Sequence, residues 1–263
     1  MAGKVYAERD TRDPRIAWLV FDQQKRRNAI SVEMWDQLPE LAESLSADPE
    51  VRVVVMRGAG DRAFVAGADI SEFDEQRSGD AAGSYDERNA RALRSLVAIS
   101  KPVIAMIRGF CVGGGVAISL TADLRFAAEG SVFAVPAARL GLGYQMGGLE
   151  TLTRLVGPSR ALEIFFTARR FSAEEVLAMG LVNAVVPGPD LDGHVRETAA
   201  RIADNAPLTL SSVKRIVREL GRPDQARDHA AVEASIRSCF ESEDYREGVR
   251  AFLEKRTPNF RGR

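Results

Sequence analysis

Short apolar segments alternate with segments of helical periodicity along the first two thirds of the chain. The apolar segments are rich in β-branched residues, and most are continuous enough to be buried on both faces of a sheet. They predict strands at residues 16–21, 51–56, 102–107, 124–128 and 181–186. Strands that alternate with helices predict an α/β fold with largely parallel strand pairing.

The first helix is predicted directly after Ser31, which is a favourable N-cap residue. Apolar residues then recur at helical spacing from Met34 to Leu45. Pro39 lies inside this pattern and lacks a backbone donor, so we expect it to bend or interrupt the helix.

The pattern changes near residue 190, after which only helical periodicity is present. Helical segments are predicted at 194–205, 208–220 and 231–256. We therefore expect a core of residues 1–190 that carries the functional site, followed by a helical C-terminal region of residues 191–263.

Composition narrows the function classes only slightly. The 263 residues are 45% apolar and 28% charged, and 36 basic residues nearly balance 37 acidic ones, so the charge does not favour nucleic-acid binding. Two cysteines, Cys111 and Cys239, are too few for a disulfide framework or a metal cluster. Without a signal peptide or an apolar segment of membrane-spanning length, we expect a cytoplasmic protein that does not bind membranes.

Residues 109–118 read GFCVGGGVAI and place three glycines between an apolar strand and an apolar helix. A helix that begins on glycines leaves backbone N–H groups without intrahelical partners, which suits an anion or an oxyanion. Close packing of the helix on the strand would need the same small residues, so both explanations stay open. No Lys-Ser or Lys-Thr pair follows, and the segment is therefore not a phosphate-binding loop.

A second turn of small residues, Ala66 to Ala68, follows the strand near residue 56 and precedes Asp69. It could present another backbone N–H at a strand end. Two such donors that converge on one carbonyl oxygen would stabilise an enolate or a tetrahedral oxyanion.

Six segments together resemble the crotonase superfamily, also called the enoyl-CoA hydratase/isomerase family. They are residues 26–31, 64–70, 101–115, 136–157, 171–187 and 252–260, and the resemblance covers almost the whole chain. It implies a crotonase-like α/β fold of repeated ββα units with a helical C-terminal region. It also implies an acyl-CoA thioester as ligand, a homotrimer or dimer of trimers, and no cofactor other than the coenzyme A of the substrate.

The same resemblance assigns roles to individual residues. The backbone N–H groups of Ala68 and Gly114 would form the oxyanion hole. The implied contacts with the substrate and its coenzyme A are Arg26, Arg27, Asn28 and Ala29 near the first helix, Ala66, Asp69, Ile70, Gly113, Ala117 and Ala137 in the central segments, and Lys255 and Phe260 near the C-terminus. A solvated charged loop explains Arg26 and Arg27 equally well, and Asp69 is also expected to hold its turn. Lys255 and Phe260 would reach coenzyme A across a subunit interface.

The chain departs from the hydratase pattern at two positions. Hydratases of this family use two glutamates to position a water and move its protons, and both matching positions, 117 and 137, are alanine here. Because alanine can neither activate water nor return a proton, ordinary hydration with these residues is not expected. An isomerase that uses the second glutamate is disfavoured for the same reason.

Tyr144 lies on the turn that the family folds over the acyl group. The methylmalonyl-CoA decarboxylase branch of the superfamily carries a tyrosine at this place, where it could orient a leaving carboxylate. That branch has a histidine in place of Ala68, so half of its side-chain pair is missing. Packing of Tyr144 against the acyl chain is the alternative role.

The leading interpretation is an acyl-CoA enzyme, of lyase or isomerase class, that stabilises a thioester enolate in a backbone oxyanion hole. A decarboxylase or thioesterase that uses Tyr144 is one alternative. A non-catalytic acyl-CoA-binding homologue is another. RNA binding would rest on residues 214–220 alone, and an amphipathic helix also explains that segment.

Overall fold

Two β-sheets form the framework of the computed structural model, which describes residues 3–69, 81–144 and 146–263. The larger sheet has six strands and the smaller has four. In chain order the strands are β1 (Lys4–Arg9), β2 (Ile16–Asp22), β3 (Val53–Gly58), β4 (Ala63–Val65), β5 (Val103–Ile107), β6 (Phe110–Val112), β7 (Leu124–Ala128), β8 (Val132–Ala134), β9 (Phe171–Ser172) and β10 (Ala184–Val186).

The chain repeatedly places one strand in each sheet before a helix. The larger sheet runs β1-β2-β3-β5-β7-β10 and the smaller runs β4-β6-β8-β9. Pairing is parallel except for β1 with β2 and β8 with β9, which are antiparallel. The predicted α/β fold of ββα units with a helical C-terminal region is confirmed.

The helices follow the strands and cover both sheets. They are α1 (Val32–Ala47), α2 (Ala81–Ala98), α3 (Gly114–Ser119), α4 (Met146–Thr167), α5 (Ala173–Ala178), α6 (Leu191–Ala203), α7 (Pro207–Leu220), α8 (His229–Glu241) and α9 (Glu243–Glu254). Short 3-10 turns occur at Gln24–Arg26, Pro136–Arg139, Gly188–Asp190 and Asp224–Ala226. Helix α4 is broken at Gly157, whose φ of 77° and ψ of 162° are not helical.

The larger sheet separates two hydrophobic cores. Successive side chains of a strand point to opposite faces. In β2, for example, Leu19 belongs to the first core, which includes α1, whereas Val20 belongs to the second, which includes α6. Burial on both faces explains why this strand is apolar along nearly its whole length.

Several elements differ from the sequence prediction, and three of them concern segments that the sequence did assign. The segment predicted as a strand at 181–186 pairs only from Ala184, because Leu181 and Val182 are buried in the core outside any strand. Helix α1 is not interrupted at Pro39. The helical segment 231–256 is two helices, since Ser242 ends α8 and accepts a hydrogen bond from Tyr245 N, 3.0 Å away, as the N-cap of α9.

The boundary expected between residues 190 and 191 stays a prediction. Every element that the structure describes from Leu191 onward is helical. Helix α6 nevertheless belongs to the second core through residues such as Val195 and Ala199, so its packing is continuous with the larger sheet. Among the described helices, none has both the length and the hydropathy needed to cross a bilayer.

Candidate active site

The three glycines at the junction of β6 and α3 differ in what they make possible. Gly113 has a φ of 52° and a ψ of −110°, a conformation that residues with a Cβ rarely adopt. A Cβ on Gly115 would lie 2.0 Å from the carbonyl oxygen of Val65, so β4 could not approach α3 this closely. A Cβ on Gly114 would meet nothing closer than Trp35 Cζ2 at 3.6 Å.

The second small-residue turn lies beside this glycine. The position that a Cβ of Gly114 would take is 3.7 Å from Ala68 N and 3.7 Å from Gly67 C. In the part of the chain that the structure describes, neither the Ala68 N–H nor the Gly114 N–H donates a hydrogen bond. Two adjacent donors of this kind can hold one oxygen atom of a ligand.

Backbone hydrogen bonds to the loop before α1 hold the Ala68 turn in place. Ala66 N donates to Arg27 O at 3.1 Å, and Ile30 N donates to Gly67 O at 2.8 Å. Asp69 N then donates to Ile30 O at 2.9 Å. These bonds engage the residues on both sides of Ala68 and leave its own N–H unused.

Side chains of the same loop reinforce the turn. Asp69 is 6% exposed, forms an ion pair with Arg26, and accepts a hydrogen bond from Gln23 Nε2 at 3.0 Å. Asp69 therefore holds its turn, and Arg26 contributes to that task. The guanidinium of Arg27 lies over the ring of Phe110, 4.7 Å from its centroid.

Asn28 is 1% exposed, and its side chain is occupied within the protein. Its Nδ2 donates to Ala59 O at 3.0 Å and to Ala63 O at 2.8 Å, while Oδ1 accepts from Gln23 N at 3.0 Å. A contact of Asn28 with coenzyme A could thus come only from its backbone. Ala29 is buried beside it. Ile70 lies outside the described residues.

The two alanines that replace the hydratase glutamates belong to segments next to the glycines. Ala117 is half-buried, and its N–H donates to Gly113 O at 3.1 Å within the first turn of α3. Gly113 N in turn donates to Ala134 O at 2.8 Å, which ties this junction to the segment that leads to the buried Ala137. Methyl groups therefore occupy both positions.

Comparison with known proteins identifies the family. A family model described as "Enoyl-CoA hydratase/isomerase" matches residues 11–263. The chain belongs to the enoyl-CoA hydratase/isomerase family.

Individual relatives cover nearly all of the chain. It is 33% identical over 249 residues to the crotonyl-CoA hydratase of Syntrophomonas wolfei subsp. wolfei, with 95% of each chain covered. It is also 33% identical to the methylmalonyl-CoA decarboxylase of Escherichia coli K12, covering 94% of this chain and 95% of that one. The protein is accordingly an enzyme of the hydratase/isomerase family, of lyase or isomerase class.

Solved structures agree with this assignment. An enoyl-CoA hydratase/isomerase family protein from Hyphomonas neptunium is 37% identical, and it superposes with a TM-score of 0.92 over 98% of both chains. The fold and the family therefore rest on independent comparisons of structure and of sequence.

Tyr144 packs against the second half of α4 in this family member. Its ring lies edge-on to Phe165, with centroids 4.7 Å apart at an interplanar angle of 77°, and 38% of the residue is exposed. The structure thus shows a packing contact for Tyr144, and its catalytic role stays a prediction.

The C-terminal residues assigned to coenzyme A lie after α9. Lys255 is exposed and ends α9 with a left-handed φ of 54°. Phe260 packs against Gly248 of the same chain, and its carbonyl oxygen accepts a hydrogen bond from Arg52. A contact of either residue with coenzyme A of a neighbouring subunit stays a prediction.

No reactive thiol is available from the strand before the glycines. Cys111 is fully buried in β6, and this burial raises the pKa of its thiol to about 12. The thiol is therefore protonated at neutral pH and is no nucleophile.

The sequence does not indicate that Trp35 lies at this site. Its helical spacing indicated only that it lies on the buried face of α1. The contact of its ring with the Gly114 site depends on how α1 and α3 pack together, which no local pattern encodes.

Proposed function

We propose that this enzyme acts on acyl-CoA thioesters and stabilises a thioester enolate between the backbone N–H groups of Ala68 and Gly114. The observation that carries the proposal is the juxtaposition of these two unpaired donors. The coenzyme A enters as part of the substrate, and the proposal needs no other cofactor.

The chemistry follows from where charge develops. When the α-carbon of a thioester loses a proton or a carboxyl group, negative charge accumulates on the carbonyl oxygen. Backbone donors held by the hydrogen bonds on either side of Ala68 and by the Gly113 turn need not reorganise as that charge forms. The interaction therefore strengthens in the transition state, as catalysis requires.

The identity of residues 117 and 137 selects among the reactions of the family. Hydration needs a base that activates water and an acid that returns the proton. Because both positions are alanine, we propose a reaction that does not depend on a carboxylate at either one.

Decarboxylation is one reaction that meets this condition, and the two alanines favour it over hydration. The bond between the α-carbon and the carboxyl carbon breaks, its electron pair passes into the enolate, and carbon dioxide leaves. A proton then adds to the α-carbon. Tyr144 would orient the carboxylate in this reaction, or in a thioesterase alternative would position the acyl group.

Binding of coenzyme A is proposed for the loop that carries Arg26 and Arg27, and for Lys255 and Phe260 of a neighbouring subunit in a homotrimer or dimer of trimers. Arg26 remains half exposed although it pairs with Asp69, so its guanidinium can still meet a phosphate. A cytoplasmic location likewise remains part of the proposal.

The test is an activity and binding screen over matched enoyl-CoA and malonyl-type CoA thioesters, run on the wild type and on Gly114→Ala. The added methyl would lie 3.7 Å from Ala68 N and crowd the oxygen that the two donors hold. We expect kcat/KM to fall about 100-fold. Gly193→Ala is the matched control, because a Cβ at Gly193 meets nothing within 4 Å.

The outcomes separate the alternatives. Failure of every CoA thioester to bind would overturn the proposal, and binding without turnover would favour a non-catalytic homologue. Fast hydration of crotonyl-CoA would contradict the argument from Ala117 and Ala137. The same screen on Tyr144→Phe decides whether this hydroxyl takes part, since unchanged decarboxylation would remove Tyr144 from the mechanism.

A further inference from the structure

Trp35 carries a buried hydrogen-bond donor that the proposed mechanism does not use. The residue is 2% exposed, and its indole Nε1–H is paired with none of the residues that the structure describes. The other tryptophan, Trp18, is also buried, but its Nε1 donates to Asp10 Oδ2 at 2.8 Å. Buried donors are nearly always paired in native proteins, so the indole of Trp35 requires an acceptor.

The indole ring that carries this unpaired donor lies beside the two backbone donors of the candidate site. Trp35 Cζ2 is 3.6 Å from the position that a Cβ of Gly114 would take, and that position is 3.7 Å from Ala68 N. Within the indole, Cζ2 and Nε1 are both bonded to Cε2. Nε1 is therefore two bonds away from the ring atom that faces Gly114.

Three donors at one site indicate more than one acceptor atom. A carbonyl oxygen has two lone pairs, which the N–H groups of Ala68 and Gly114 would occupy. A third donor is then available for a second oxygen of the same ligand. The indole N–H is uncharged and can only donate, so it suits a carboxylate, hydroxyl or oxo oxygen.

The absence of carboxylates at positions 117 and 137 also favours a ligand with a second oxygen. With alanine at 117 and 137, the site lacks the two carboxylates of the hydratase pattern. A carboxylate at either position would repel an anionic oxygen of a ligand. Its replacement by a methyl group removes that repulsion and leaves the indole N–H to interact with the oxygen.

We propose that the indole N–H of Trp35 binds an oxygen substituent on the acyl group and so selects acyl-CoA thioesters that carry a carboxyl, hydroxyl or oxo group close to the thioester. The inference rests on the proposed function, because it takes the thioester oxygen to lie between Ala68 and Gly114. Trp35 is thereby a specificity-determining residue.

The first test compares malonyl-CoA with propionyl-CoA, in which a methyl group replaces the carboxylate. Binding is measured by calorimetry, with turnover followed in parallel, for the wild type, Trp35→Phe and Trp18→Phe. We expect the wild type to prefer malonyl-CoA and Trp35→Phe to lose about tenfold of that preference. The control Trp18→Phe should keep it, since Trp18 donates to Asp10.

A second test uses the unchanged protein and so remains decisive even if a variant folds poorly. The chain has only two tryptophans, which give two indole cross-peaks in a ¹H–¹⁵N spectrum, and the peak lost in either variant alone assigns both. Malonyl-CoA should shift the indole proton of Trp35 downfield, whereas propionyl-CoA should not.

The failures of the two proposals are distinguishable. If neither thioester binds the wild type, the proposed function is overturned, and this inference with it. If both bind, but the Trp35 cross-peak responds equally to both and Trp35→Phe keeps the wild-type preference, only the role of Trp35 is overturned.

Discussion

Each of the three consecutive glycines has a different structural role. Gly113 provides a backbone conformation, Gly115 allows the close approach of Val65, and Gly114 leaves space beside Ala68 N. The order of residues in this segment does not by itself distinguish their conformations or their packing. Their separate roles come from what each would touch if it carried a Cβ.

Gly115→Ala is expected to destabilise the fold because its methyl would lie 2.0 Å from Val65 O, a backbone atom that cannot rotate away. We expect a loss of about 1–3 kcal/mol in the free energy of unfolding, measured by urea denaturation. Gly114→Ala, whose nearest contact would be 3.6 Å away, should stay close to the wild type. Equal stability of the Gly115 variant and the wild type would contradict the packing of β4 on α3.

At the scale of elements, a buried lysine connects helix α7 of the C-terminal region to the core by hydrogen bonds. Lys214 Nζ donates to Lys101 O and to Asp123 Oδ2, both at 2.6 Å. Asp123 Oδ2 also accepts from Val103 N at 2.7 Å, so one carboxylate links α7 to the beginning of β5. Burial lowers the pKa of Lys214 to about 8, although the nearby Asp123 opposes the shift.

This shift predicts a pH dependence of stability. Between about pH 8 and the ordinary lysine pKa of 10.5, the unfolded chain retains the proton that the folded protein has lost, so rising pH favours the folded state. From pH 7.5 to pH 10, the free energy of unfolding of the wild type should rise by roughly 2 kcal/mol relative to that of Lys214→Met. Urea denaturation at both pH values measures the difference. If the difference in unfolding free energy between the two proteins does not change with pH, Lys214 does not have the lowered pKa on which the prediction rests.

At the scale of the whole molecule, the C-terminal helices α7 to α9 carry several large apolar residues that are exposed. Phe252 is 83% exposed and Leu253 is 75% exposed. The other large apolar residues exposed on α7 to α9 are Val213, Val217, Leu220, Ile236, Phe240, Tyr245 and Val249. This surface supports the proposed assembly of subunits.

We expect light scattering coupled to size exclusion to give the mass of three or six chains. Replacing Phe252 and Leu253 together by serine should shift the mass downward, because apolar area that drives association is lost. Val97→Ser is the control, as Val97 is an exposed apolar residue on α2. A monomeric wild type would exclude the assembly, whereas an unchanged mass of the double variant would place the interface elsewhere.

The accuracy of the sequence prediction varied with the length and burial of each element. Strands β2, β5 and β7 were located to within one residue at each end, because burial on both faces makes them uniformly apolar. Strand β1 was not predicted, because most of its residues are exposed, and neither were the short strands β4, β6, β8 and β9. A strand of two or three residues is too short to show a periodic pattern in the sequence. These four short strands form only because a neighbouring strand pairs with each of them.

The sequence alone determined the family, the α/β fold and the absence of glutamates at 117 and 137, since these are properties of residue identity and order. Only the tertiary structure decided that Ala68 N lies beside Gly114, that the Asn28 side chain is used internally, and that the indole of Trp35 borders the same site. Such contacts join residues distant in the chain. Their geometry depends on how loops, helices and sheets pack, which no local pattern specifies.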